Sequence, residues 1–289
     1  MTNLRSDILK WLMAVITVIA SSVNVCASGD DSIMVRPVLS AYTVDYGWTS
    51  LLDTYLTPIR YHGYNIRLGY ERLQAMKRAP ERLVMQMDAG VSYDHVKNEV
   101  GNNTMHSLMA DYKWGMMRRW NVTGIPLQLY GGGSVQMHGG IIYNSNNSNN
   151  PVSVKIHASL NLTGMAAYNV NVLHTPVTLR YQATMPVAEV FFSPEYDESF
   201  YEIYVGNHKN LAHFGWWGNR FDMVNLLTAD LHFGGTILRV GYRGRIESSW
   251  VSNLNTQIYT NSIVIGLCGE WMNARKKMSE QTKVISAMY

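Results

Sequence analysis

Several short arrangements in the chain have the residue types and spacing to do chemistry. His157 and Ser159 stand two apart, and an imidazole beside a hydroxyl can activate a nucleophile of the kind used in lipid deacylation. Asp230 and His232 share that spacing, and a carboxylate that orients an imidazole can activate water for peptide hydrolysis. Asp94 and His95 are adjacent and suggest the same pairing. Arg239, Arg243 and Arg245 gather three guanidiniums in one segment, enough to hold an anion. Tyr201, Trp216 and Trp217 lie in an aromatic stretch that could stack on a glycan or peptide.

Whether these residues meet depends on the elements that carry them. Over 152–168 nearly every even residue is apolar and nearly every odd residue is polar or small. A helix would put Val152, Lys155, Ile156 and Ser159 on one face, so the period is that of a strand. The same alternation recurs at 38–48, 64–73, 83–93, 106–116, 127–137, 177–187, 227–233, 238–245 and 259–271, which makes about ten strands. His157 and Ser159 therefore share the polar face with Lys155, as do Asp230 and His232 on their own strand. Asp94 and His95 point to opposite faces.

Charge is sparse, at 16% of residues, with 47% hydrophobic and a net charge of +3, so disorder and a nucleic-acid footprint are both excluded. The polar faces hold Arg67, Lys113, Lys155, Arg180, Arg239, Arg243 and Arg245 against Glu71, Asp88, Asp111, Asp230 and Glu270. A soluble barrel would leave such residues in water, where no balance of sign is needed. In a membrane barrel the apolar face meets lipid and the charges compensate one another across the lumen. The reading is an all-β, transmembrane antiparallel up-and-down β-barrel of about 10 to 12 strands; a periplasmic soluble β protein is the alternative. An even strand number leaves both ends of the barrel segment on the periplasmic side. Short turns at 77–78, 118–119 and 234–235 then face the periplasm, while the Asn-rich loop at 144–150 and the long segment at 191–219 face outward. Trp48, Tyr93, Trp114, Tyr168 and Trp271 suit interface girdles. The connection at 49–63 reads as a longer loop, 191–219 has room for an extra hairpin, and Gly131-Gly132-Gly133 reads as a bend or bulge.

Arg5 and Lys10, an apolar run too short to span a bilayer, and a small-residue site at Val25-Cys26-Ala27 predict a cleavable signal peptide over 1–27. Lipidation of Cys26 is the competing reading. After cleavage Cys268 has no partner for an internal disulfide. The barrel is then expected over 28–272, followed by a tail or short final strand over 273–289. Asp53-Thr-Tyr-Leu-Thr-Pro with Tyr61 and Gly63, Ser199-Phe-Tyr-Glu-Ile-Tyr, and Leu238-Arg-Val-Gly-Tyr resemble a family of uncharacterised secreted outer-membrane proteins of Gram-negative bacteria, carried as a domain of unknown function. That resemblance implies the location and no activity.

No catalytic residue is expected. His157 and Ser159 face the lumen, whereas a lipid hydrolase must meet lipid, and Asp230 and His232 fall near the periplasmic end. The three arginines are expected to pair with Asp230, Glu270 and their neighbours. No His or Cys spacing suits a metal, and no cofactor or nucleic acid is expected. The expected partners are outer-membrane lipid and the barrel-assembly machinery. The function expected is a structural or envelope-associated barrel, or a narrow pore with a charge-filled lumen. A hydrolase using a lumen or rim His, and a surface ligand-binding protein using 191–217, are the alternatives.

Overall fold

The computed structural model describes residues 34–148, 150–196, 198–206, 210–271 and 283–288. The expected signal peptide, Cys26 included, lies outside them. Ten antiparallel strands run in sequence order round the molecule: β2 (Val38–Asp53), β3 (Thr57–Ala75), β4 (Leu83–Lys97), β5 (Thr104–Asn121), β6 (Leu127–Asn144), β7 (Val152–Val172), β8 (Thr175–Phe192), β10 (Arg220–Phe233), β11 (Thr236–Val251) and β12 (Leu254–Trp271). Pairing of β8 with β10 and of β12 with β2 closes the wall, so it has no free edge. Four short elements complete the fold: β1 (Met34–Val35), α1 (Phe200–Val205), β9 (Ala212–Gly215) and β13 (Lys283–Val284).

The period-two pattern is what lets this wall have two chemistries. Along β7 the even residues from Ile156 to Gly164 are exposed, while the odd ones from His157 to Met165 are buried. Tyr42, Val44, Tyr46 and Trp48 repeat this on β2, Leu108, Tyr112, Trp114 and Met116 on β5, and Ile263, Ile265 and Leu267 on β12. An apolar exterior on a closed wall of strands 14 to 21 residues long is a surface for lipid, and the architecture is that of a transmembrane β-barrel. Trp48, Tyr93, Trp114, Tyr168 and Trp271 all stand on this exterior.

The chain ends described here, with turns at 76–82, 122–126, 173–174 and 234–235, share one end of the barrel, the periplasmic one by the rule above. Leu173 and His174 both have positive φ, as do Ser252 and Asn253 at the opposite end, so the two-residue hairpins match the strand twist. Several sequence expectations need correction. The segment 49–63 is not a long loop: β2 and β3 extend through it to a tight turn at 54–56. Arg118 and Arg119 are not a turn but the last part of β5. The glycine run carries no bulge, because β6 stays in register with both neighbours there. Gly132 instead permits close strand approach, since a Cβ there would lie 2.0 Å from the Met116 carbonyl oxygen.

The described residues of 191–219 contain no added transmembrane hairpin. Ser199 and Glu202 form a capping box that starts α1, and the Ser199 backbone N–H, then its hydroxyl, hold the Glu202 carboxyl below its ordinary range. β9 then lies against the last residues of β8, Glu189 to Phe192. Between the β9 and β10 pairings, 185–188 of β8 face 216–223. Pro186 can donate no ladder bond there, and its carbonyl accepts from the Trp217 indole instead. Nor do the described tail residues, 283–288, add a barrel strand: β13 pairs in parallel with β1, outside the wall.

Candidate functional site: the filled lumen

Inward-facing side chains fill the barrel in layers. At the periplasmic end Leu39, Leu73, Val84, Met117, Met165 and Cys268 form an apolar layer that includes Ala287 and Met288 of the tail. The tail is tied in by Arg119 Nη1 donating to the Ser286 carbonyl at 2.8 Å and Tyr130 Oη donating to the Ala287 carbonyl at 3.0 Å. Glu270, expected among the lumen charges, is exposed at this rim and accepts from the Ser286 hydroxyl. At the outer end Leu51, Tyr61, Val96, Met105, Ile142 and Ile258 form a second apolar layer, with Leu56 of the 54–56 turn on it.

The charges lie between these two layers. On the periplasmic side Glu71 takes both Arg180 amino groups, at 2.7 and 2.6 Å, and Arg239 Nη1 at 2.6 Å. Arg239 also grips Asp230 with two bonds, at 2.7 and 2.8 Å. One level up, Arg67 donates to Asp88 at 3.0 Å and Asp111 at 2.8 Å, while Arg243 donates to Asp45 at 2.7 Å. Higher still, Arg245 makes two bonds to Asp222, at 3.0 and 2.7 Å. Arg220 joins Glu189 at 2.5 Å to Glu247 at 2.8 Å. Lys155 Nζ closes the series 3.0 Å from Asp53. Paired, hydrogen-bonded charges can stay ionised out of water, whereas unpaired ones cannot. A polar cavity of about 60 Å³ remains, lined in part by Asp45, Arg67, His138 and Lys113. It holds a few waters at most.

This placement decides the chemistry of each sequence candidate. His157 is 3% exposed; its Nδ1 accepts from Arg220 at 2.7 Å and its Nε2 lies 3.4 Å from Asp222, with the His138 ring stacked 4.8 Å away. The imidazole therefore meets a carboxylate, but inside the charge network and away from lipid. Asp230 accepts two bonds from Arg239, and the His232 ring meets the Thr178 hydroxyl at 3.1 Å. Asp94 faces inward and accepts from Asn65 at 2.7 Å, whereas His95 lies outside, stacked on Tyr64. Arg239, Arg243 and Arg245 are each held by the protein's own carboxylates, from Asp230 and Glu71, Asp45, and Asp222 and Glu247 respectively. Trp216 and Trp217 are each 59% exposed; Tyr201 belongs to α1, and its side chain lies outside the described residues. Among the described residues no group of His, Cys, Asp and Glu is arranged to hold a metal.

Arg220 and Asp222 were not picked out in the sequence. The signal was there: they alternate with Phe221 and Met223, continuing the β10 period upstream of 227.

The outer mouth is covered as well. Asn147 Nδ2 donates to the Leu56 carbonyl at 3.4 Å, Asn150 Nδ2 donates to Tyr55 Oη at 2.9 Å, and Tyr55 Oη donates to the Glu198 carbonyl at 3.1 Å. Burial raises the Tyr55 phenol above its ordinary range, and its ring packs edge-on to Phe200 at 5.5 Å. The Asn-rich loop is thus part of a lid.

The model of DUF3316, a protein family of unknown function, matches residues 10–278. The chain belongs to DUF3316. Comparison with curated proteins finds no match. Among solved structures, this DUF3316 barrel is similar to the outer membrane protease OmpT from Escherichia coli, at 6% identity and a TM-score of 0.41, covering 86% of this chain and 99% of that one. It is likewise similar to the translocator domain of the autotransporter NalP from Neisseria meningitidis, at 12% identity and a TM-score of 0.42, covering 92% and 98%. The β domain of the Bordetella autotransporter BrkA gives 9% identity and a TM-score of 0.40, covering 82% and 100%.

Proposed function

We propose that this DUF3316 protein is a closed, non-conducting barrel that serves the outer membrane as a structural or envelope-associated protein, without catalytic activity. In this reading a signal peptide cleaved after residue 27 takes it across the inner membrane, and the barrel-assembly machinery inserts it. The observation that carries the proposal is the filling of the lumen: a network of ion pairs between two apolar layers, with the tail across one mouth and the Asn-rich loop across the other. Ten strands make a barrel narrow enough for side chains to fill, well short of the 16 to 18 strands of water-filled porins. Purified protein in planar bilayers is expected to give no steady single-channel steps in molar KCl. Large, long-lived conductance steps would sink the closed-barrel reading.

The exposed aromatics of 191–217 favour a second reading, binding of a glycan or peptide at the cell surface. Tyr196, Phe214, Trp216 and Trp217 are all exposed there. If that reading holds, replacing Trp216 and Trp217 by alanine removes binding and leaves membrane insertion intact.

A further inference from the structure

The outward face of β3, β4 and β5 carries a cluster that the lumen has no use for. His62 and Lys97 stand opposite each other in register, as do His95 and His106, and all four point away from the lumen near the outer end of the wall. The His95 ring is stacked on Tyr64 at 5.2 Å and meets the His106 ring edge-on at 5.0 Å. His106 Nδ1 is engaged by the Tyr93 hydroxyl at 2.7 Å. With that hydroxyl donating, His106 carries its proton on Nε2, which leaves an N–H donor facing outward. The neighbouring carboxylate of Asp94 is turned into the lumen toward Asn65, and Glu99 is exposed in the following turn. A lysine and N–H-bearing imidazoles, ordered by tyrosines on the lipid side of a barrel, form a donor set for a phosphate at headgroup depth.

Just below this cluster the lipid face is hollowed. Ala110, Gly139 and Ala158 supply little or no side chain, and Tyr112, Ile156 and Val190 stand around them to leave an apolar groove of about 920 Å³. The upper part of the groove reaches Ile141 and Val154, which lie one outward-facing position below the row of His106 and Tyr143. That step is about 7 Å at the rise of a strand. A groove of this volume on a lipid-facing wall accommodates an acyl chain, and the donors above it fit the phosphate of the same molecule.

We infer that β3–β8 form a binding site for a phosphorylated lipid of the outer leaflet, with its phosphate on His95, Lys97 and His106 and an acyl chain in the groove over Gly139. The site lies on the exterior wall, so it stands or falls separately from the question of conductance.

Native mass spectrometry of the detergent-solubilised barrel tests this, using hexa-acyl lipid A in diphosphorylated and dephosphorylated forms, and inorganic phosphate as the headgroup anion alone. The diphosphorylated lipid is expected to be retained at least tenfold more tightly than the dephosphorylated one, and millimolar inorganic phosphate is expected not to displace it. Lys97→Glu with His106→Glu should lower retention at least tenfold. Gly139→Leu should lower it too, because a Cβ at 139 meets nothing nearer than 3.8 Å and the added side chain would occupy the groove. Ala110→Leu serves the same purpose should that variant not give a compact unboiled form on a gel. Equal retention of the two lipids, or folded variants that bind like wild type, would overturn the inference. Displacement by inorganic phosphate would replace the lipid with a free anion and overturn it as well.

Discussion

Glu71 shows how a residue unremarkable in the sequence becomes central. Its carboxylate is buried between Arg180 and Arg239, and Gln86 Nε2 donates to it at 2.6 Å. Glu71→Ala takes from Arg180 the carboxylate that meets both its amino groups, while Arg239 keeps Asp230. Breaking a buried pair by removing one partner costs about 3 to 5 kcal/mol, because the surviving charge stays out of water. The urea midpoint of the refolded barrel should fall accordingly. Removing Arg180 as well should recover part of the loss; a double variant no more stable than Glu71→Ala would show that the uncompensated guanidinium is not the cause. The His157 imidazole is likewise held within the charge network. Its spacing with Ser159 was legible, but the partners that engage the imidazole, Arg220 and Asp222, come from β10, on the far side of β8.

Among the elements, the wall and the tail behave differently. Strand pairing demands close backbone approach where β5 meets β6, and Gly132→Val would drive a side chain into the Met116 carbonyl and the Met117 Cα, 2.0 and 2.7 Å from the new Cβ. Backbone cannot yield as a flexible side chain can, so this variant should lose the compact, unboiled form on a gel. Gly164→Val, at a position whose Cβ meets nothing within 4 Å, should keep it. The tail is a separable cap. Truncation before Lys283 removes Ala287 and Met288 from the periplasmic layer, so it should lower stability by about 2 kcal/mol without preventing assembly. An unchanged urea midpoint would mean that the tail adds nothing to that layer. The capping box at Ser199 and Glu202 was readable as a helix start. The aromatic residues around it have no clear period, which hides it in the sequence.

At the scale of the whole molecule, the interior and exterior have exchanged the usual roles of a soluble domain: apolar side chains face out along the wall, and ion pairs fill the middle. That inversion is stable only where the surroundings are lipid, because the apolar exterior then needs no burial within the protein. Intact protein from membranes should therefore migrate as a compact species unboiled and as a slower, fully unfolded one after boiling. A single mobility under both conditions, in protein solubilised without denaturant, would contradict a closed barrel.

The period of two determined by itself that this chain forms strands, which residues face outward, and that the polar face balances its charges. These are local properties, since neighbouring side chains on a strand must point to opposite sides. Only the tertiary structure decided which charges meet, because Glu71 and Arg239 are joined by the curvature of a closed wall and by no spacing along the chain. It also decided that the tail and the Asn-rich loop cover the two mouths, through bonds to partners as distant in sequence as Tyr130 and Tyr55. Those contacts exist only once closure has brought the ends of separate strands together.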